Sequence, residues 1–516
     1  MRSAWSPRTR AASSSNHVQP TRAVRRSRID TYLFFFVTFA LIVFLTHAPY
    51  LDLPFSWDEL GRFIPAALDL FARGLWVPHS PAPGIHPPGL AAYLATSWHA
   101  FGYSIPVTRL AMLLVASACA FTAFLLAIQL CRQIGGTPAF SAVLLLLVSP
   151  LFYIQALLAH PDLPATLFTL WALLLFLRNR FVASALVSVL LVLVNGSGLV
   201  VPAVLGCWLA IEGKRKWAAW FVLPALALAA WLLVLSRFAG NPLGPVESVP
   251  FNLLASLHPG RIGFALLRRA HYLFLENFHW VGWIAIAAAW RRSRIFRNRP
   301  WRIAATLTLA HVLAVSLFGG ATLERHLMPV LPLVYIAMAA AWSAAPSHWM
   351  RLGQLALMAG LLFSLFWNSP FPYPVENNLA LVDFVRLQQS AGAFLERNYS
   401  DRTVTTAWPL SSALSRPEYG YVNRPIAVRE IDGFGAASVA ALDPGSVGLF
   451  VLYSRQRETA WDPHRIPFVR GLLRRLYGYE PQVPPLEIER RLRLAPVARW
   501  QQRDQWLVIL APSGRQ

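Results

Sequence analysis

Eleven apolar runs separated by short polar turns leave this sequence few ways to fold. They cover roughly 31–49, 106–130, 138–157, 163–177, 181–194, 198–211, 217–236, 278–290, 303–319, 327–345 and 351–368. A helix crossing the hydrocarbon core needs about 20 mostly apolar residues, and in lipid only helices or closed barrels satisfy their own backbone hydrogen bonds. Several runs are shorter than that. Pro138, Pro161 and Pro164 punctuate the series, in keeping with the tolerance for proline in a helix's first turn. Charged residues make up only 14% of the 516-residue chain, where a soluble domain averages about 25%. The pattern predicts a polytopic α-helical membrane protein of about eleven spans.

The net charge of +22 is not gathered into one patch. Many of the cations fall in short loops between apolar runs, which marks them as orientation charge rather than a nucleic-acid footprint. Residues 1–30 are rich in Arg, Ser and Ala, with no acid before Asp30, and read as a disordered basic cytoplasmic tail. The run that follows is too long for a signal-peptide core and lacks a clear cleavage site, so it is expected to remain as the first span. Segment 88–101 is ambiguous. If it stays outside the bilayer core, Arg132, Arg178, Arg180, Lys214 to Lys216, Arg291 to Arg302 and Arg351 all fall on the cytoplasmic side. If it spans, they all flip outward. The positive-inside rule selects the first choice, making 88–101 an interfacial helix with Tyr93, Trp98 and His99 at headgroup level.

This parity makes 31–368 the transmembrane domain, with outer loops at 50–105 and 237–277. It also makes 369–516 an extracytoplasmic domain, in a cytoplasmic (inner) membrane protein whose N-terminus is cytoplasmic. Within 237–277, the basic and apolar residues of 261–272 alternate as an amphipathic helix suited to anionic headgroups. Pro370, Pro372 and Pro374 mark a stiff linker. Beyond it, a helix at 381–398 and short strands at 402–408, 420–428, 447–453 and 506–510 read as a small α/β domain. The three cysteines lie in or at the ends of apolar runs, so no disulfide framework or cysteine metal site is available.

The residues able to carry chemistry collect on the outer side. Asp58-Glu59 could hold a divalent cation or accept a proton; equally, the pair could cap the helix that follows. Arg62 falls on the same helical face as the acids and could clasp a carboxylate or a phosphate. Asp162 opens an apolar helix, where a cap is the simpler local reading. His86, followed by two prolines, could donate to a phosphate or be structural. Arg325, beside Glu324 and His326, suits bidentate phosphate binding or an interfacial anchor.

Together these residues resemble a known group. A Trp-Asp-Glu loop after the first span, a His-Pro-Pro lead-in to a juxtamembrane helix, an Asp-x-Pro opening a later span, and an Arg-His turn before Met-Pro-Val-Leu-Pro look like the GT-C glycosyltransferases. The likeness covers about 40 to 370. It is nearest to protein O-mannosyltransferases, aminoarabinose transferases and bacterial lipopolysaccharide sugar transferases. The resemblance implies a polyprenyl-phosphate sugar donor, a lipid, glycan or protein acceptor, and inverting transfer on the outer face of the membrane. It implies Asp58 as catalytic acid position, Glu59 as its usual neighbour, and Asp162 as the second acid. His86 stands where many members have Lys, and Arg62 lies one residue further from the acids than the arginine of aminoarabinose transferases. Arg325 and His326, with Arg62 and His86, are the candidates for the donor phosphate. Some members use a divalent cation and others do not; Asp58 and Asp162 would hold one. No Gly-rich phosphate loop is present. Rival readings are a polyprenyl-linked glycan ligase or polymerase, a lipid transporter or flippase, and a membrane anchor for an active C-terminal domain.

Overall fold

The computed structural model describes residues 22–80, 86–134, 138–239, 257–318, 323–344, 348–368, 374–455 and 465–512. Most of the basic tail, the 240–256 part of the long loop and most of the proline linker lie outside them. The first helix runs Arg22–His47, so it begins within the stretch expected to be a disordered tail.

Each of the eleven apolar runs is helical. Length and composition qualify five helices to cross a bilayer: Asp30–Tyr50, Ile105–Leu130, Arg215–Phe238, Arg299–Phe318 and His348–Phe366. The pair Ala139–Val148 and Pro150–Leu157, bent by 67°, is together long and apolar enough for a broken span or a re-entrant loop. Proline at 150 removes a backbone donor and breaks the ladder there. Ser149, at the break, accepts a hydrogen bond from the Tyr335 hydroxyl at 2.9 Å, and that hydroxyl lies 2.9 Å from His279 Nε2. The other apolar helices are shorter; Phe181–Val194 has 14 residues. At 1.5 Å per residue it spans about 21 Å, less than the roughly 30 Å hydrocarbon core.

Ile105–Leu130 is the central helix, packed on Asp162–Leu177, the first span and Ala139–Val148. Ser104 caps it, accepting from Val107 N at 3.3 Å, with Pro106 in the first turn. Segment 88–101 forms the helix Gly89–Phe101, 13 residues long and too short to cross. Its aromatic residues are not all at headgroup level. Trp98 is buried, donating from Nε1 to Thr108 at 2.9 Å, and Tyr93 donates to Ala111 O at 2.8 Å. Of the three expected there, only His99 is exposed, together with Phe101 at the helix's end.

After the helix Ala380–Asn398 come β1 (Val404–Ala407), β2 (Val428–Ile431), β3 (Leu449–Tyr453), β4 (Leu494–Gln502) and β5 (Gln505–Pro512). They form one sheet in the order β2-β1-β3-β5-β4. The β2-β1-β3 pairs are parallel and β3-β5-β4 antiparallel. β1 and β3 are buried throughout, as expected for the parallel centre of a covered sheet. The strand expected at 420–428 is instead an irregular segment leading into β2, shifted toward the end of that window. β4 was not anticipated. It is an edge strand whose apolar start is interrupted by Pro496 and by a bulge between Pro496 and Ala498, and a proline within a run argues against a strand.

The sheet unit grips the loop ahead of Asp58. Phe55 N donates to Tyr419 O at 3.2 Å, the Tyr421 hydroxyl donates to Phe55 O at 2.8 Å, and the Tyr103 hydroxyl to Glu418 O at 2.7 Å. Gly420, between the two tyrosines, has φ of 92°; a Cβ there would lie 2.4 Å from Ile105 Cδ1. The left-handed backbone favours glycine there, and a side chain would also have to displace the end of Ile105.

Candidate active site

The loop 53–58 leads into a turn of π-helix, Glu59–Phe63, which continues as the helix Ile64–Arg73. Single π-turns recur at functional sites. Trp57, immediately before Asp58, has φ of 49°, a left-handed conformation unfavourable for a bulky residue. Its ring packs edge-on against Trp408, which follows β1, with centroids 5.2 Å apart, and against Phe384 at 5.6 Å. The left-handed turn is thus held from the sheet side.

It is held from the membrane side by an ion pair. Glu59 and Arg109 are both fully buried and bonded to each other. The carboxylate also accepts from Ser56 N at 3.0 Å and Ala159 N at 2.7 Å. Arg109 donates to Leu53 O and Pro54 O, each at 3.0 Å, and to Leu157 O at 2.8 Å. Arg109 stands near the start of an apolar run, a cation that needs a buried acid as partner. That need was the signal available in the sequence. The pair ties loop 53–59 to the turn 157–159, bringing Asp58 and Asp162 into one place. Glu59, expected in the catalytic set, has its charge and both oxygens occupied by this tie.

Arg325 is the hub between the acids. Its Nη2 is ion-paired with Asp58, its Nε lies 3.5 Å from Asp162 Oδ2, and its Nη1 donates to the Glu376 oxygens at 3.0 and 2.8 Å. His160 Nδ1 lies 3.3 Å from the same Nη1 and 3.0 Å from Gln155 Oε1. Glu376 escaped the sequence reading because it stands alone, in a short turn beyond the linker. Neighbouring Asn377 donates to Glu324 at 3.1 Å, and Glu324 pairs with Arg268 of the amphipathic helix Pro259–Phe274. That helix matches the one expected at 261–272.

The expectation that Arg325 takes the donor phosphate meets a physical obstacle: its charge is already matched by three carboxylates. The acids differ in access. The Asp58 side chain is 27% exposed, against 6% for Asp162 and 5% for Glu376. They also differ in proton affinity. Burial would raise Asp58, but the Arg325 charge and hydrogen bond, with Arg62 nearby, outweigh it and bring it to about 2. For Glu376 burial dominates; with Asp58 and Asp162 close by, it prevails over Arg325 and lifts the carboxyl to about 7.

Arg62 does not clasp the acids. It is exposed and turns to His86, with Nη1 and Nε2 3.5 Å apart, and makes no ion pair with a carboxylate among the described residues. Burial, then the Arg62 charge, lowers His86 to about 4, leaving it neutral near pH 7. The two residues stand at the polar end of a cleft whose apolar walls include Trp76, Pro161, Val194 and Trp231. The buried indole N–H of Trp231 has no acceptor among the described residues. Phe63 packs between His86 and His160, at 5.7 and 5.6 Å. His326 is half-buried beside these groups, its backbone carbonyl 2.8 Å from His311 Nε2.

In this structure the Arg325 guanidinium lies between Asp58 and Asp162. Among the described residues no group of three or more His, Cys, Asp or Glu is arranged to hold a metal.

No protein-family model matches the chain, and no curated protein matches it by sequence. Solved structures do match. ArnT from Cupriavidus metallidurans, bound to undecaprenyl phosphate, is 16% identical, with a TM-score of 0.52, over 93% of this chain and 98% of that one. An Archaeoglobus fulgidus oligosaccharyltransferase, solved with Zn and sulfate, is 14% identical, with a TM-score of 0.48, over 81% and 67%. The mycobacterial arabinofuranosyltransferase AftD is 14% identical, with a TM-score of 0.45, over 94% and 40%. The match to ArnT shows the fold: a polytopic helical membrane protein of the GT-C type with a small C-terminal sheet. Nearly the whole of this chain superposes on nearly the whole of ArnT.

Proposed function

We propose that this protein is a membrane glycosyltransferase that moves a sugar from a polyprenyl-phosphate donor to a lipid, glycan or protein acceptor, with inversion, on the outer face of the cytoplasmic membrane. One observation carries the reading. A partly exposed carboxylate held ionised by Arg325, Asp58, lies four residues before Arg62, which with the neutral His86 lines one end of a cleft with apolar walls. In this reading the prenyl chain lies along the apolar walls and its phosphate meets Arg62 and His86. The acceptor hydroxyl hydrogen-bonds to Asp58 and attacks the anomeric carbon; its proton passes to the carboxylate as the bond to the phosphate oxygen breaks. Negative charge then grows on the departing phosphate, where Arg62 and the His86 N–H stabilise it. Asp162, Glu376 and Arg325 fix the position of Asp58. His326 borders the donor side.

The test uses undecaprenyl phosphate as probe on the full chain in detergent. Arg62→Ala and His86→Ala are expected to weaken binding about tenfold or more, the loss of one charge-assisted contact. Asp58→Asn is expected to bind the probe normally, yet abolish the glycan change that a strain carrying the active gene shows by mass spectrometry. Unchanged probe affinity in both cleft variants, or full glycan transfer by Asp58→Asn, would refute the assignment.

A further inference from the structure

The sheet unit carries a helix, Pro467–Tyr477, that is strongly two-faced yet scarcely covered. Leu476 is its one buried residue, whereas Ile466 just ahead of it, Phe468 and Leu472 are 44%, 78% and 37% exposed. Phe468 and Leu472 are four residues apart and share one face. Exposed Arg474 lies on the polar side and exposed Arg475 borders the Phe468 edge, from where its long side chain can reach headgroups; neither pairs with a carboxylate among the described residues.

Its neighbour identifies what covers that face. The Tyr477 ring packs on Phe264 at 5.6 Å, with the Arg261 guanidinium 5.2 Å from its centroid. Both partners belong to the amphipathic helix Pro259–Phe274, whose Leu267 and Phe274 are exposed. That exposed apolar surface continues through Trp280 and Ile284 into His279–Arg292, one of the apolar helices of the membrane bundle. Pro467–Tyr477 thus lies beside a helix leading directly into one that packs on the span-length helix His348–Phe366.

We infer that Pro467–Tyr477 rests in the bilayer interface, with Phe468 and Leu472 among the acyl chains and Arg474 and Arg475 on anionic headgroups. The chemistry is that of an interfacial amphipathic helix: apolar edge in the acyl boundary, cations at the headgroups. It holds on whichever side of the membrane the sheet unit lies. The helix anchors the sheet unit at a second point, away from its grip on the Asp58 loop.

The experiment uses the full chain carrying Cys207→Ser, since Cys119 and Cys131 are buried and Cys207 is exposed. A fluorophore is attached at Phe468→Cys, or at Val497→Cys on β4 as reference. The protein is reconstituted in nanodiscs of phosphatidylcholine with or without phosphatidylglycerol, doped with nitroxide-bearing lipid. The label at 468 is expected to be quenched about twofold or more, and that at 497 hardly at all, as partition into the acyl boundary requires. Arg474→Glu/Arg475→Glu should reduce the quenching, chiefly in phosphatidylglycerol. Equal quenching at both positions, or none at 468, would overturn the inference. A label at 468 protected equally in micelles and nanodiscs without lipid quenching would assign the face to a protein partner or second copy, and overturn it too. Indifference to phosphatidylglycerol would overturn the anionic headgroup assignment.

Discussion

Replacing Arg109 with methionine tests the tie that brings the acids together. The substitution keeps apolar volume but leaves Glu59 as a buried carboxylate with no counter-cation. Breaking one side of such a pair costs about 3–5 kcal/mol. The carbonyls of Leu53, Pro54 and Leu157 also lose Arg109 as donor, and a buried unsatisfied acceptor costs about 1–3 kcal/mol. Relaxation will recover part of that, so a total near the upper end of the first range is expected. Thermal and denaturant unfolding of the detergent-solubilised protein, followed by tryptophan fluorescence, would measure it. The cycle with Glu59→Leu is the informative arm. If the pair is a tie, the double variant is more stable than Arg109→Met alone, because no charge is left buried. It still fails in transfer, because the loop holding Asp58 has lost its carbonyl donors. A loss below about 1 kcal/mol for Arg109→Met, the value of an exposed pair, would refute the argument. So would a cycle showing no coupling.

Three further outcomes follow from the same geometry. Glu376 holds its proton up to about pH 7 in the folded protein, against an ordinary value of 4.5. The folded state therefore binds the extra proton between those values, and stability falls as pH rises through that window, by on the order of a few kcal/mol. Glu376→Gln should flatten that slope; a slope unchanged by the substitution would remove Glu376 as its source. Asp58 shows the opposite sign: its stabilising pairing is complete above pH 3.8 and is lost as pH falls toward 2, so Asp58→Asn should diminish the acid limb of the stability profile alone. Gly420→Ala should destabilise by about 1–3 kcal/mol through its positive φ and the close contact with Ile105, with limited proteolysis showing earlier release of the sheet unit; an unchanged cleavage pattern would show that the contact is dispensable.

The apolar runs were legible because hydrophobicity over a span-length window is local information. What they could not reveal is which helices fall short of the bilayer thickness, or that the run through Pro150 is bent by 67°. Asp58, Asp162, Arg62 and His86 were legible because each stands beside a proline, a tryptophan or a helix start. The structure gathers the two acids at Arg325, and the other two residues at the adjoining cleft. Glu376 was missed because it acts from more than 200 residues away, with nothing around it marked as special. Arg109 was missed because it sits inside an apolar run and was read as part of a span. β4 has exposed polar side chains and pairs only at a sheet edge, so its pairing rather than its composition makes it a strand. Trp98 shows that an aromatic at a predicted interface turns inward when a buried hydroxyl offers its indole a partner.

The contact centred on Tyr419, Gly420 and Tyr421 has a consequence for how such a chain diversifies. The soluble portion acts as a splint on the reactive segment, so the two halves are not free modules. A chimera that exchanged the sheet unit but kept the helices would inherit a slack Asp58 loop unless those three residues and Trp408 travelled with the helices. On the proposed glycosyltransferase reading, change of acceptor preference is then easiest in loops remote from the splint, and the splint itself should be the most slowly drifting surface of the sheet unit.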